Sequence, residues 1–365
     1  MIDNDTRHAY LETEKRSDET SKALCQQLDQ IRIGNAFHER RTSHHRGTAM
    51  SIAIRDVLSR EEMAALCRKS DLRGAWAILQ VWLCIAATFA LLAAYPTPLT
   101  FLLAVFILGG QQLACAVLTH EAAHYTLFKT RWMNEVVTDW LVARPIWTDV
   151  KRYRQHHMGH HAHTGTEDDP DMSLVRPFPG SRASLRRKLL RDLSGRSGLR
   201  RVIGLIGMDL GILKYTVAAD VERLPQEGRT WRDYLRASLR NMGPVLIANG
   251  VLAAVLAALG ALWVYSAWVV AYLTTFSLYV RIRSIAEHAC TEGGPEVLNN
   301  TRTTHANWLA RLTVAPFRVN YHVEHHLMAS VPYYRLKDLH DKLRARGLVQ
   351  PQPGYRHVLE LASAG

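Results

Sequence analysis

The sequence predicts an all-α integral membrane protein, with four membrane-crossing helices in two hairpins. Three observations carry that expectation. Residues 75–95 and 97–118 are apolar runs without a charged side chain, each close to the roughly 20 residues a helix needs to cross a bilayer core. A second such pair occupies residues 244–262 and 263–280. The links within each pair, Tyr95-Pro-Thr-Pro98 and the Gly260 to Tyr265 region, are so short that each pair must reverse as a hairpin.

Taken in order, residues 1–58 are largely polar and poor in large apolar side chains, which predicts a disordered tail, with Met50 as an alternative start. No apolar leader opens the chain, so no cleaved secretory signal is expected. Ser59-Arg-Glu-Glu62 has the pattern of a capping box and predicts a short amphipathic helix before the first span. An even number of crossings places both chain ends and the segments outside the hairpin links on one side. The links lack Lys and Arg. By contrast Arg60, Arg68, Lys69 and Arg73, and the cluster Arg182, Arg186, Arg187, Lys188, Arg191, Arg196, Arg200 and Arg201, lie on the opposite side, which is therefore expected to be cytoplasmic.

A net charge of +12 suits a cap resting on anionic headgroups and docking of an acidic redox partner. No nucleic-acid recognition pattern accompanies it, so nucleic acid is not an expected partner. Trp132, Trp140 and Trp147 recur at seven- and eight-residue spacing, as on an amphipathic helix at a membrane interface. The five cysteines form no C-x-x-C pair, which argues against thiolate metal sites and a disulfide framework. Residues 348–365 are expected as a C-terminal tail.

The chemistry lies in three histidine clusters: His120-Glu-Ala-Ala-His124, His157-Met-Gly-His160-His161 and His322-Val-Glu-His325-His326. Histidines four apart on a helix project from one face and can converge on one ion. In H-x-x-H-H a histidine one turn before an adjacent pair shares a face with one member, while the other can turn to a neighbouring metal. Eight imidazoles exceed the needs of one ion, because four ligands complete a structural zinc site and three suffice for a catalytic one. Two metals are therefore expected. Imidazole suits zinc, copper, nickel and iron alike, so the ligand type leaves the metal open. H-E-x-x-H alone equally describes a zinc protease with Glu121 as general base, but such an enzyme has no use for the other two clusters. Glu121, Asp169, Asp171 and Glu324 are candidates to accept the outward imidazole N–H and fix its tautomer.

The order and spacing of these boxes resemble the membrane fatty acid desaturase and hydroxylase family. The resemblance extends from Tyr153-Arg-Gln-His-His157 through His160-His161 to Thr164-Gly-Thr-Glu-Asp-Asp-Pro-Asp171. It resumes from Arg302-Thr-Thr-His305 through Asn320-Tyr-His322 to Val331-Pro-Tyr-Tyr334. It covers residues 59–347, a desaturase-like domain similar to bacterial-type members. It implies two iron ions under a helical cytosolic cap, and an acyl chain lying between cap and membrane. It also implies a ninth ligand, His288 in Ala286-Glu-His288-Ala. Ser284 stands where the acyl-CoA branch has Asn, which weakens the case for a CoA thioester substrate. His157 is preferred to His156 as a ligand. His163 and His305 are expected to hydrogen-bond locally, and His8, His38, His44, His45, His340 and His357 to lie on the surface.

The resemblance implies an O2-dependent, multi-pass acyl-lipid desaturase, in the inner membrane if bacterial. The same boxes serve lipid and carotenoid hydroxylases, the nearest alternative; an intramembrane zinc protease and a non-catalytic metal-binding membrane protein are more distant ones. No dinucleotide fingerprint, haem site, fused cytochrome b5 signature or iron–sulfur cysteine pattern is present. Electrons are thus expected from a ferredoxin, rubredoxin or cytochrome b5 with its reductase; Arg152, Arg154, Arg335 and Lys337 are candidate docking cations, with a solvated or headgroup-facing role the preferred reading for each.

Overall fold

The computed structural model describes Arg32–Ile33 and residues 52–294, 296–349 and 351–365. Most of the expected N-terminal tail lies outside the described residues. Helices make up nearly all of the architecture. Among the described residues the named strands are limited to an antiparallel pairing of Arg32–Ile33 with Ile52–Ala53. Three helices among the described residues are long and apolar enough to cross a membrane, or four if one bent pair is counted as a span.

Helix α1 (Arg60–Leu66) opens on the anticipated capping box, with Ser59 accepting from the Glu62 amide and Glu62 reaching back to the Ser59 amide. Packed structure begins slightly earlier than residue 59, because Ile54 and Leu58 are buried in the cap. The first candidate span, α2 (Asp71–Ala94), is capped by Ser70 and stops before the prolines of the link. The second, α3 (Pro98–Ala123), starts with Thr97 as cap and proline in its first turn. At 26 residues it is about 39 Å long, some 9 Å more than a hydrocarbon core. That excess is enough for its C-terminal turns to stand clear of such a core. From Leu108 to Ala123 nearly every residue is buried, so α3 is the central post of the fold.

Helices α4 (Val150–His163), α5 (Arg182–Leu193) and α6 (Arg196–Asp209) follow, and then α7 (Trp231–Asn241) bends by 48° into α8 (Gly243–Ala258). The expected third span, residues 244–262, is thus a shorter helix with an amphipathic lead-in. The expected fourth, residues 263–280, runs longer, from Leu262 to His288, broken at Thr274 into α9 (Tyr265–Leu273) and α10 (Thr275–His288). Arg201 stitches the break, donating to the Tyr272 carbonyl at 2.5 Å and to the Ser277 hydroxyl at 3.0 Å. The Thr275 hydroxyl crosses to the Val105 carbonyl of α3 at 2.7 Å.

Helices α11 (His322–Leu327), α12 (Leu336–Ala345) and α13 (Tyr355–Ala362) complete the cap. The residues expected as a C-terminal tail are instead integrated. Val358 and Ala362 of α13 are buried against Phe178, Leu185 and Ile285, and the Gly180 amide donates to the Ala362 carbonyl. The tryptophan stripe also differs from expectation. Trp132 and Trp140 are exposed beside π-helical turns at Met133–Val137 and Asp139–Ala143, but Trp147 turns inward from a left-handed backbone to donate to Asp209 at 2.8 Å.

Gly109 and Gly110 let two elements reach the central post. A Cβ on Gly109 would lie 2.1 Å from the Thr275 hydroxyl, and one on Gly110 would lie 2.2 Å from the Leu312 carbonyl. Gly110→Ala is therefore expected to lower stability by about 1–3 kcal/mol through overpacking against backbone. Gly250→Ala on α8, where a Cβ meets nothing within 4 Å, should be neutral or slightly stabilising. Thermal melting in detergent compares the two; equal melting points would refute the close packing at α3.

Candidate metal centre

The excess length of α3 delivers the first box. His120 sits in its last turn and His124 is its C-cap residue. The helix end is secured by Arg154, which donates to the carbonyls of Ala123 at 2.8 Å and Ala122 at 3.1 Å and stacks on Tyr125. The second box occupies α4, whose N-cap Asp149 accepts from the Arg152 amide at 2.7 Å. The third fills α11, a six-residue helix in which every residue is buried. His288 is the last residue of α10.

These elements bring all nine anticipated histidines together, in two groups. His120, His124, His157, His161 and His325 form one; His160, His288, His322 and His326 form the other. Within each group the nearest ligand atoms all lie within 4.8 Å of one another. The partition follows helical geometry. In box two the i, i+4 pair His157 and His161 serves the first group and His160 the second. In box three the i, i+4 pair His322 and His326 serves the second, and His325 crosses to the first. His161 and His326 stack at 4.2 Å between ring centroids, forming the wall between the groups.

The ring nitrogens face one another closely. In the first group the Nε2 atoms of His157 and His124 are 2.9 Å apart, and that of His161 lies 3.1 Å from His157 and 3.0 Å from His325. In the second group His322 Nε2 lies 2.8 Å from His288 and 3.2 Å from His326. The outer nitrogens of two rings are already committed, since His160 Nδ1 meets Asp169 at 2.8 Å and His288 Nδ1 meets the Asn300 carbonyl at 3.2 Å. As donors there, these rings turn Nε2 lone pairs inward. Among the described residues, both ring nitrogens of buried His120 lack a hydrogen-bond partner. Ligands at right angles on an ion, with bonds of about 2.1 Å, sit about 3 Å apart. The arrangement therefore fits a cation in each group.

Electrostatics reinforces that fit. Burial, followed by repulsion among the imidazoles, holds His157, His161, His322, His325 and His326 well below the ordinary histidine range. His124 is lowered to about 3 by burial and by Arg154. Neutral imidazole is the form that ligates metal. His160 is the exception: burial opposes its cation, but the Asp169 hydrogen bond and nearby Asp171 outweigh burial and raise its pKa.

The other sequence expectations divide. Asp169 does hold a box imidazole, whereas Asp171 is hydrogen-bonded to His156 at 2.8 Å and lies 3.8 Å from His160. Glu121 accepts from the Thr126 hydroxyl and the Tyr333 amide, with His120 Nδ1 3.5 Å away. Glu324 accepts from His340 at 2.6 Å and from Thr303 at 2.5 Å. His340 is thus buried, not on the surface; Leu336, Leu339 and Leu343 share its helical face, a signal the sequence carried. Two of the proposed docking cations are internal. Arg152 pairs with Asp209 at 2.6 Å and Arg154 caps α3, while Arg335 and Lys337 lie near Asp338 and Asp341 on α12. Two contacts were not anticipated: Glu287, 3.6 Å from His322 and paired with Arg283 at 2.6 Å, and the Asn300 carbonyl. Glu287 adjoins His288; Asn300 left no signal, because it acts through its backbone.

The chain is similar to known proteins. The family model described as fatty acid desaturase matches residues 94–358, which contain all nine histidines. Dihydrorhizobitoxine desaturase of Bradyrhizobium elkanii is 28% identical over 260 residues, spanning 70% of this chain and 69% of that protein.

The lowered imidazole pKa values predict acid sensitivity of the metal-free protein. Unfolded histidines titrate near 6.5 and take up protons that the folded cage refuses, so stability must fall as pH drops below about 7. Each such imidazole steepens the fall by up to about 1.4 kcal/mol per pH unit. Melting temperatures of chelator-treated protein between neutral and mildly acid pH test this, and a flat profile would contradict the buried neutral cage.

Proposed function

The chain belongs to the fatty acid desaturase family, and from that premise we propose that it is an O2-dependent di-iron desaturase that introduces a C=C bond into the acyl chain of a lipid. The observation that carries the proposal is the convergence of nine imidazoles into groups of five and four. His120, His124, His157, His161 and His325 would hold one iron, and His160, His288, His322 and His326 the other. Two irons so held would supply the redox chemistry that breaking an unactivated C–H bond requires and zinc lacks.

The reaction removes two hydrogens from adjacent carbons. Two further electrons and two protons complete the reduction of O2 to two waters. The electrons come from an external ferredoxin, rubredoxin or cytochrome b5. The chain's own side chains contribute placement. Asp169 and the Asn300 carbonyl fix the tautomers of His160 and His288, and Arg283 neutralises Glu287 beside His322. Burial of the third box on all sides keeps bulk water from the reacting centre. Four spans in two hairpins would put both chain ends, the cap and all the boxes on the cytoplasmic side, where the redox partner is met.

Desaturation is favoured over hydroxylation because the relative identified is a desaturase. That protein's name refers to dihydrorhizobitoxine, which is the first further compound to test alongside membrane lipids. The zinc protease reading could take His325 as the third ligand beside His120 and His124, but it gives no role to the second group, His160, His288, His322 and His326.

Expression beside a His325→Ala control, followed by mass spectrometry of total lipids, is expected to show loss of two hydrogens from an acyl chain only with the active protein. Gain of one oxygen would make it a hydroxylase, and activity retained in His325→Ala would refute the di-iron site. Asp169→Asn should weaken metal retention against a chelator by about 10–100-fold, read as iron content of the purified protein.

A further inference from the structure

Helix α7 has three differently employed sides. Trp231, Leu235 and Leu239 form an exposed apolar row with exposures of 69%, 48% and 64%. One residue on, about 100° further round the helix, Arg232, Arg236 and Arg240 form a second exposed row. The remaining side is anchored to the protein. The Tyr234 hydroxyl donates to Gln226 at 3.0 Å, Arg229 stacks on the Tyr234 ring, and Asn241 donates to the Asp209 carbonyl at 3.0 Å. A capping box of Thr230 with Asp233 fixes its start.

An exposed apolar row on a protein surface is costly in water, and this row does not end with α7. Through the 48° bend it continues into Leu246, Ile247, Val251 and Val255 of the candidate span α8. Helix α6 repeats the pattern, with Leu199, Ile203 and Ile206 exposed and Arg196 and Arg200 beside them. The arginines of α7 are scarcely engaged: Arg236 lies 3.6 Å from Asp233 with its side chain 78% exposed, and Arg232 lies over Trp231. Exposed pairs of this kind contribute little.

We infer that α7 lies in the plane of the membrane surface and binds anionic phospholipid headgroups through Arg232, Arg236 and Arg240, its apolar row dipping among the acyl chains. The charge sign and the continuity with α8 select a lipid surface over an acidic protein, because such a partner would have to seat on a surface whose apolar row leads directly into a membrane span. Guanidinium groups pair with phosphate oxygens in a planar, two-point fashion that suits lipid phosphodiesters.

The full-length protein in phosphatidylcholine nanodiscs tests this, with a minor fraction of brominated phosphatidylglycerol or brominated phosphatidylcholine as quencher. Subtracting the signal of Trp231→Phe isolates Trp231. Phosphatidylglycerol is expected to quench more strongly by about fivefold, the ratio matching roughly one arginine–headgroup contact, and added salt should erode the preference. In the Arg232→Gln/Arg236→Gln/Arg240→Gln variant the preference should vanish while quenching by phosphatidylcholine persists. Equal quenching in the wild type, no quenching by either lipid, or a preference that survives in the variant would each overturn the inference. Loss of the preference on adding inorganic phosphate at matched ionic strength would assign the arginines to free phosphate, which also overturns it. If the variant fails to fold, the salt titration of the wild type decides. None of these readouts depends on turnover, so this inference and the desaturase reading stand or fall separately.

Discussion

Nine imidazoles drawn together, six of them buried and His124, His161 and His288 partly exposed, are the constraint on which the rest of the molecule depends. Neutral imidazoles that donate outward through Nδ1 present lone pairs inward, and lone pairs about 3 Å apart repel unless a cation lies among them. Burial opposes protonation of most of the rings, as the lowered pKa values of His157, His161, His322, His325 and His326 express, whereas Asp169 and Asp171 raise that of His160. The polypeptide must therefore hold the rings in place against their mutual repulsion, and much of the fold can be understood as that scaffold.

The scaffold is anchored by two candidate spans that carry ligands at their ends. Helix α3 finishes with His120 and His124, while α10 finishes with His288. The fourth candidate span is broken at Thr274, and there Arg201 donates to the Tyr272 carbonyl and Thr275 reaches the Val105 carbonyl of α3. Gly109 makes this approach possible by leaving room for Thr275. The Arg154 guanidinium then satisfies the carbonyls at the end of α3, which explains why a cation so close to the boxes is turned inward and not toward a redox partner.

The sequence made the helices and the nine histidines legible because both signals are local. A run of uncharged apolar residues and an i, i+4 spacing are each readable within two dozen positions. What escaped depends on contacts between distant segments. The break at Thr274 leaves no proline or glycine as a marker, since tertiary bonds from Arg201 and α3 stabilise it. Residues 348–365 look like a tail until Val358 and Ala362 meet Phe178 and Ile285. Arg152 and Arg154 read as surface cations because their partners, Asp209 and the α3 carbonyls, lie far away in sequence. His340 is the instructive exception, since its place beside three leucines on one face of α12 could have announced its burial.

The two imidazole groups are not equivalent, and the difference has a physical logic. The group of five has one carboxylate at hand, Glu121, whose oxygens are shared with Thr126 and the Tyr333 amide. The group of four has fewer nitrogens but is ringed by Asp169 on His160, Asp171 just beyond it and Glu287 beside His322. Carboxylates accepting from or facing an imidazole raise its basicity and so its strength as a ligand. They would also bring negative charge to a cation with fewer donors. Fewer but more basic ligands on one side, and more but less supported ligands on the other, would let two like cations be held at comparable strength.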